Sequence, residues 1–174
     1  MPYIIKETET TVPAMAYTNM RLIWGKLVAP KVVRVPTWLK MTMVPELMTF
    51  VEAEMLVFGG GQPARLSAPE IHIPSAQILA FHVLPPTQFE PDYDPNEPNR
   101  TMKPVSALCN IYRFDGKRRL STLGDFVSVV QASKETYAGL YDVTISHPTV
   151  PGLKAITVPF VMLRADATAY IVQS

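Results

Sequence analysis

The sequence predicts an all-β protein made of two similar small units in tandem, and three observations carry that expectation. Short runs with alternating apolar and polar residues and β-branched content recur along the chain. Seventeen prolines stand where an average share of about 5% would give roughly nine. Proline at that density argues against long helices and for short segments between turns. Finally, the stretch 16–84 can be laid over the stretch 105–172, with a Pro-rich acidic connector, 85–104, between them.

Three blocks make the overlay. Ala16, Asn19, Gly25 and Lys26 match Ala107, Asn110, Gly116 and Lys117 at an offset of 91. Phe50, Val51 and Glu52 match Leu140, Tyr141 and Asp142 at 90, and Ala76, Ala80, Phe81 and Val83 match Ala165, Ala169, Tyr170 and Val172 at 89. The offset slips by one between blocks, each time in a segment that reads as a loop, where length changes are tolerated. Residues 1–15 then form an N-terminal extension, 16–84 a first repeat and 105–174 a second. A single all-β domain with evenly spaced strands is the competing reading.

In chain order, residues 3–12 alternate enough for an edge strand or an arm. Tyr17–Val35 reads as two strands, with Gly25 marking a bend or bulge. Thr37–Phe50 fits neither period, and a short helix is expected at Pro45–Thr49. Phe50–Phe58 alternates as a strand, Gly59–Gly61 is its hairpin tip, and Arg65–Ile73 and Ile78–Leu84 follow as strands around a tight turn at 74–77. In the second repeat Ala107–Phe114 is a strand leading into a turn at Asp115-Gly116-Lys117 and then Arg118–Leu120. Leu123–Ala138 is ambiguous. Leu140–Ile145, Lys154–Leu163 and Ala167–Val172 are strands.

Each repeat so described resembles a small Sm-like or SH3-like barrel. The features are a curved strand with a central glycine (Gly25, Gly116), an acid-bearing strand (Glu52 or Glu54, Asp142), and a final strand pair joined by a tight turn (Ser75–Gln77, Arg164–Asp166). The chain is also similar to uncharacterised bacterial families with Sm-like barrels, some of them duplicated. The resemblance implies a tandem of closed barrels and, in Sm-like proteins, RNA binding at two loops that use an Asp or His with Asn, followed by an Arg/Lys-Gly pair. The turns here read Pro74-Ser75-Ala76-Gln77 and Leu163-Arg164-Ala165-Asp166, with no glycine after a basic residue. RNA binding therefore does not follow from the resemblance.

Composition narrows the chemistry. Hydrophobic residues make up 48%, enough for a core, and the net charge of +1 gives no global attraction to nucleic acid or anionic membranes. Cys109 is the one cysteine, so neither an intrachain disulfide nor a thiolate zinc cluster is expected. The N-terminus lacks the basic and apolar regions of a signal peptide, and no apolar run is long enough to span a membrane as a helix. A soluble cytoplasmic protein is expected. Gly59-Gly60-Gly61 lacks the Lys-Ser/Thr and helix of a phosphate loop, and no nucleophile-elbow, zinc-protease or dinucleotide motif occurs. No enzyme, cofactor or metal is expected.

The remaining candidates are local. His72 and His82 sit on neighbouring strand segments and, with Glu70, form a conceivable metal site, although strand histidines are far more often plain surface or core residues. Asp92, Asp94 and Glu97 in the connector are oxygen ligands in close spacing, but the calcium-loop pattern with its central glycine is missing. A spacer packed across one unit by Phe89 and Tyr93 is the better reading. Cys109 reads as a small apolar filler. Lys117, Arg118 and Arg119, with Arg113, form the best local candidate for phosphate contact, and Lys26, Lys31 and Arg34 fall in the matching part of the first repeat. The expected function is a non-enzymatic structural or assembly protein with a protein partner or further copies of itself. It would act through exposed strand edges and the methionines Met41, Met43, Met48 and Met55. An RNA-binding module using the basic loops is the alternative.

Overall fold

A computed structural model describes residues 3–40, 44–88, 90, 93–150 and 152–172. The chain is mostly β and divides into two compact units, Met1–Gln88 and Phe89–Ser174. No helix among the described residues is long and apolar enough to cross a membrane.

The first unit holds β1 (Glu9–Tyr17), β2 (Arg21–Pro30), α1 (Val35–Lys40), β3 (Leu47–Val57), β4 (Ala64–Pro74), a one-turn 3-10 helix at Ser75–Gln77, and β5 (Ala80–Val83). All pairs are antiparallel, and the strands lie in the order β5-β1-β2-β3-β4. The second unit holds β6 (Arg100–Cys109), β7 (Tyr112–Ser121), α2 (Phe126–Ala132), β8 (Tyr137–Ser146), β9 (Ile156–Arg164), a 3-10 turn at Ala165–Ala167, and β10 (Ala169–Val172). Its order, β10-β6-β7-β8-β9, is the same order of corresponding elements.

The all-β expectation therefore holds, but the expected barrels are not closed. Each ladder runs from its last strand to its fourth, and those two ends do not pair with one another. The strand pairs instead enclose apolar cores. Ala14, Ala16, Tyr17, Ile23, Leu27, Phe50 and Phe81 fill the first, and Ala107, Tyr112, Phe114, Leu140, Val143 and Ile145 the second. Along β7 the alternation puts every second residue inward, whereas β2 and β9 bury consecutive residues at Leu27–Ala29 and Phe160–Leu163.

One local device shapes both sheets. In β2, Gly25 faces two residues of β3, Glu52 and Ala53, between the pairs Trp24↔Glu54 and Lys26↔Val51. In β7, Gly116 faces Asp142 and Val143 of β8 between Asp115↔Thr144 and Lys117↔Tyr141. The extra residue turns left-handed in each case, at φ 49° for Glu52 and 50° for Asp142. A Cβ at Gly25 would meet Ala53 Cα at 2.9 Å, and one at Gly116 would meet the Tyr141 carbonyl oxygen at 2.9 Å. Only glycine lets the bulged strand approach so closely. The carboxylate of the bulged residue reaches the lysine after the glycine, at 2.6 Å for Lys26–Glu52 and 2.9 Å for Lys117–Asp142. A proline, Pro69 or Pro159, stands opposite the bulged residue on the next strand.

Several boundaries differ from the sequence reading. Residues 9–15 belong to β1, so they open the first unit's sheet and are not an extension. Tyr17–Val35 contains one strand rather than two, because Asn19 and Met20 turn the chain between Thr18 and Arg21 (Thr18 N–H to Arg21 O, 2.9 Å). The helix lies at Val35–Lys40 and not at Pro45–Thr49, where β3 begins at Leu47. In the second unit the turn falls at Asn110-Ile111, with Asn110 at φ 54°, and Asp115-Gly116-Lys117 runs inside β7. The connector's last residues, from Arg100, are already in β6.

Candidate functional site

Sequence alternation explains where the four basic candidates point. β7 pairs regularly with β6, so Tyr112, Phe114, Arg118 and Leu120 face the core while Arg113, Lys117 and Arg119 face outward. The cluster is thus divided between two faces of one strand. The outward three are neutralised. Arg113 donates from Nε to Asp115 at 2.9 Å, and Asp115 also accepts from the buried Ser106 hydroxyl. Lys117 is paired with Asp142. Arg119 lies 2.7 Å from Glu97, donates to the Asp94 carbonyl at 2.9 Å and covers the Tyr93 ring at 4.5 Å. The connector turns at Asp94, where the Asn96 N–H donates to the Asp94 carboxylate at 2.8 Å.

Arg118 is different. It is 6% exposed, its Nη1 has no hydrogen-bond partner, and its guanidinium lies 5.0 Å from the Tyr170 ring centroid on β10. Tyr170 in turn meets Phe126 of α2 edge-on at 5.6 Å, and burial pushes its hydroxyl pKa up.

The connector is fastened to the second unit as a packed spacer, since Tyr93 stacks edge-on with Tyr141 at 5.2 Å and Tyr141 meets Phe160 at 5.1 Å. Phe89 and Asp92 lie outside the described residues. The rest of the calcium reading finds no support, because Glu97 is bound by Arg100 and Arg119, which hold its carboxyl below the usual range.

The two histidines each have partners of their own. His82 is buried, with Nε2 3.0 Å from the Tyr17 hydroxyl and Nδ1 3.1 Å from the Val83 carbonyl. Burial lowers its pKa. His72 lies across from Thr49 (3.0 Å), with Glu70 at 3.7 Å, and Glu70 also accepts from the Tyr3 N–H at 2.7 Å. No group of three metal-ligating side chains occurs among the described residues. Cys109 is buried and its thiol pKa is raised by burial, which disfavours the nucleophilic thiolate.

One open cleft of about 690 Å³ lies in the first unit, where Tyr3–Glu9 folds back over the end of β1 and β2 beside Trp38 and Leu47. Its walls hold Lys6 and Glu9, which pair at 3.7 Å, and Thr49, whose hydroxyl lies 3.0 Å from His72 Nδ1. Of the methionines, Met48 is fully buried in β3 and belongs to the core; Met41 and Met43 lie outside the described residues.

β10 and β4 each lie at the end of a ladder. β10 pairs with β6 alone and β4 with β3 alone, so each leaves one row of backbone groups without a partner strand among the described residues. β4 carries Arg65, Pro69 and Glu70 along its length. β10 carries no charge and no proline, and exposes Ile171 at 51% and Val172 at 44%.

Comparison with known proteins finds no matching family model, curated protein or solved structure.

Proposed function

We propose that this chain is a non-enzymatic assembly protein, derived by duplication of one Sm-like unit, that associates with further copies of itself through the β10 edge. The observation that carries the reading is the contrast between two of the four ladder ends, β10 and β4. Natural edge strands are blunted by charge and proline, as β4 is, because a bare edge is a template for another strand. β10 has neither device and presents exposed isoleucine and valine beside unpaired backbone. Strand addition at such an edge draws affinity from main-chain hydrogen bonds and selectivity from alternate side chains.

Duplication is supported by the shared element order and by the repeated device of Gly-Lys, left-handed acid and facing proline. A cytoplasmic setting suits a chain whose single cysteine is free and buried. RNA binding through Lys117, Arg113 and Arg119 is disfavoured because each is already paired with a carboxylate, which an RNA phosphate would have to displace.

The test is solution mass by multi-angle light scattering. The full chain is expected to run as a multimer, and Ile171→Lys, which puts a charge on the edge, to shift it toward the monomer while leaving the β-rich circular dichroism intact. A wild-type monomer at high micromolar concentration would reject the reading.

A further inference from the structure

Arg118 stands opposite Lys103 in the β6–β7 ladder, and directly opposed residues of an antiparallel pair share a face. Two cations are therefore juxtaposed on the inward side of the second unit's sheet, Arg118 buried and Lys103 half-buried. Tyr170 lies across the same face on β10, next to Ala107 of β6, with its ring against the Arg118 guanidinium. Among the described residues no carboxylate pairs with either cation. Arg118 Nη1 and the Tyr170 hydroxyl are both buried without a hydrogen-bond partner.

That arrangement is costly as it stands. Like charges opposed across a ladder repel, and a buried donor without an acceptor forfeits its hydration. The first unit shows what the same positions hold when only packing is at stake. There, two residues beyond Gly25 and opposite one another, stand Leu27 and Val12, and the residue matching Tyr170 is Phe81. Leu27 and Phe81 are fully buried. Three apolar side chains in one unit are thus replaced by three hydrogen-bond donors in the other, all on one face.

We propose that Lys103, Arg118 and Tyr170 form a binding site for an oxyanion, the carboxylate or phosphate group of a small ligand. Its oxygens accept from the guanidinium, whose planar fork matches both groups, and from the tyrosine hydroxyl, while the ammonium of Lys103 balances the charge. Access runs past α2. This helix contributes no buried residue of its own and touches Tyr170 through Phe126, so its displacement disturbs little of the core. The site does not depend on how the chain assembles.

The test is a titration of the full chain with inorganic phosphate and, separately, with acetate, at matched ionic strength, read by isothermal calorimetry and by Tm. At least one anion is expected to bind and raise Tm. Arg118→Leu is expected to weaken it roughly tenfold or more, as loss of a hydrogen bond to a charged group implies, and Tyr170→Phe to weaken it less. Response to phosphate alone assigns a phosphate ligand, and to acetate alone a carboxylate; either supports the site. The triple change Lys103→Val, Arg118→Leu, Tyr170→Phe, which installs the first unit's residues, is expected to abolish the response and to raise Tm without anion. If the triple variant does not fold, Tyr170→Phe, which removes a single oxygen, decides. No response to either anion, or binding to Arg118→Leu and Tyr170→Phe as tight as to wild type, overturns the proposal.

Discussion

Gly116 and Gly25 are the residues on which each sheet's bend depends. At both, an added methyl group lands within 2.9 Å of backbone atoms that the strand pairing holds in place. Gly25→Ala and Gly116→Ala are each expected to cost about 1–3 kcal/mol in denaturant unfolding, the range for overpacking a filled site. Unchanged midpoints would mean that β3 and β8 relax without loss. His82 makes a second prediction at this scale. Its folded-state pKa lies below the ordinary 6.5 because burial penalises the charged form. The unfolded chain then binds more protons where pH lies between the folded and the ordinary value, so stability falls as pH drops through 6.5 toward the folded pKa. His82→Gln is expected to flatten the dependence of the unfolding free energy on pH between neutral and mildly acidic conditions; an equally steep curve would assign the acid sensitivity elsewhere. The glycines were legible in the sequence because an isolated Gly-Lys recurs at a fixed offset. What Gly116 does was not, since Asp-Gly-Lys carries the composition of a hairpin turn. The actual turn is Asn110-Ile111, whose Asn takes the left-handed φ that a turn needs.

Strands were easier to read than helices. Most of β3, β4, β8 and β9 follows from short apolar and β-branched runs set between turn signals, whereas both helices are one or two turns long and carry too few residues for a period of 3.6 to emerge. In the segment before β3 the signal was proline, and two were available. Pro36 sits in the first turn of α1, where its missing N–H costs no helical hydrogen bond, while Pro45 precedes β3. The two helices also differ in what they cover. α1 buries Val35, Trp38 and Leu39; α2 buries nothing, is capped by Asp125 through the Ser128 N–H at 2.9 Å, and leaves Val127 58% exposed. Edges escape sequence reading for a different reason. Pairing partners are set by tertiary contacts, so nothing in ATAYIV distinguishes an inner strand from an end strand.

At the scale of the whole chain, two units share one strand order and differ in the chemistry set upon it. The basic run Lys117-Arg118-Arg119 shows why composition misled: adjacent residues of a strand face opposite sides, and a run of three cannot make one basic surface. Two of its members serve the outer face as paired charges. The third, Arg118, enters the core beside Tyr170, where the first unit has Leu27 and Phe81. The central claim concerns the other end of the same region, the bare β10 edge. Amide hydrogen exchange of β10, followed at high and low protein concentration, tests it most directly. The alternate β10 amides that do not bond to β6 are expected to be protected at high concentration and to lose that protection on dilution. Exchange at the unprotected rate at every concentration, with β6 protected throughout, would contradict the claim.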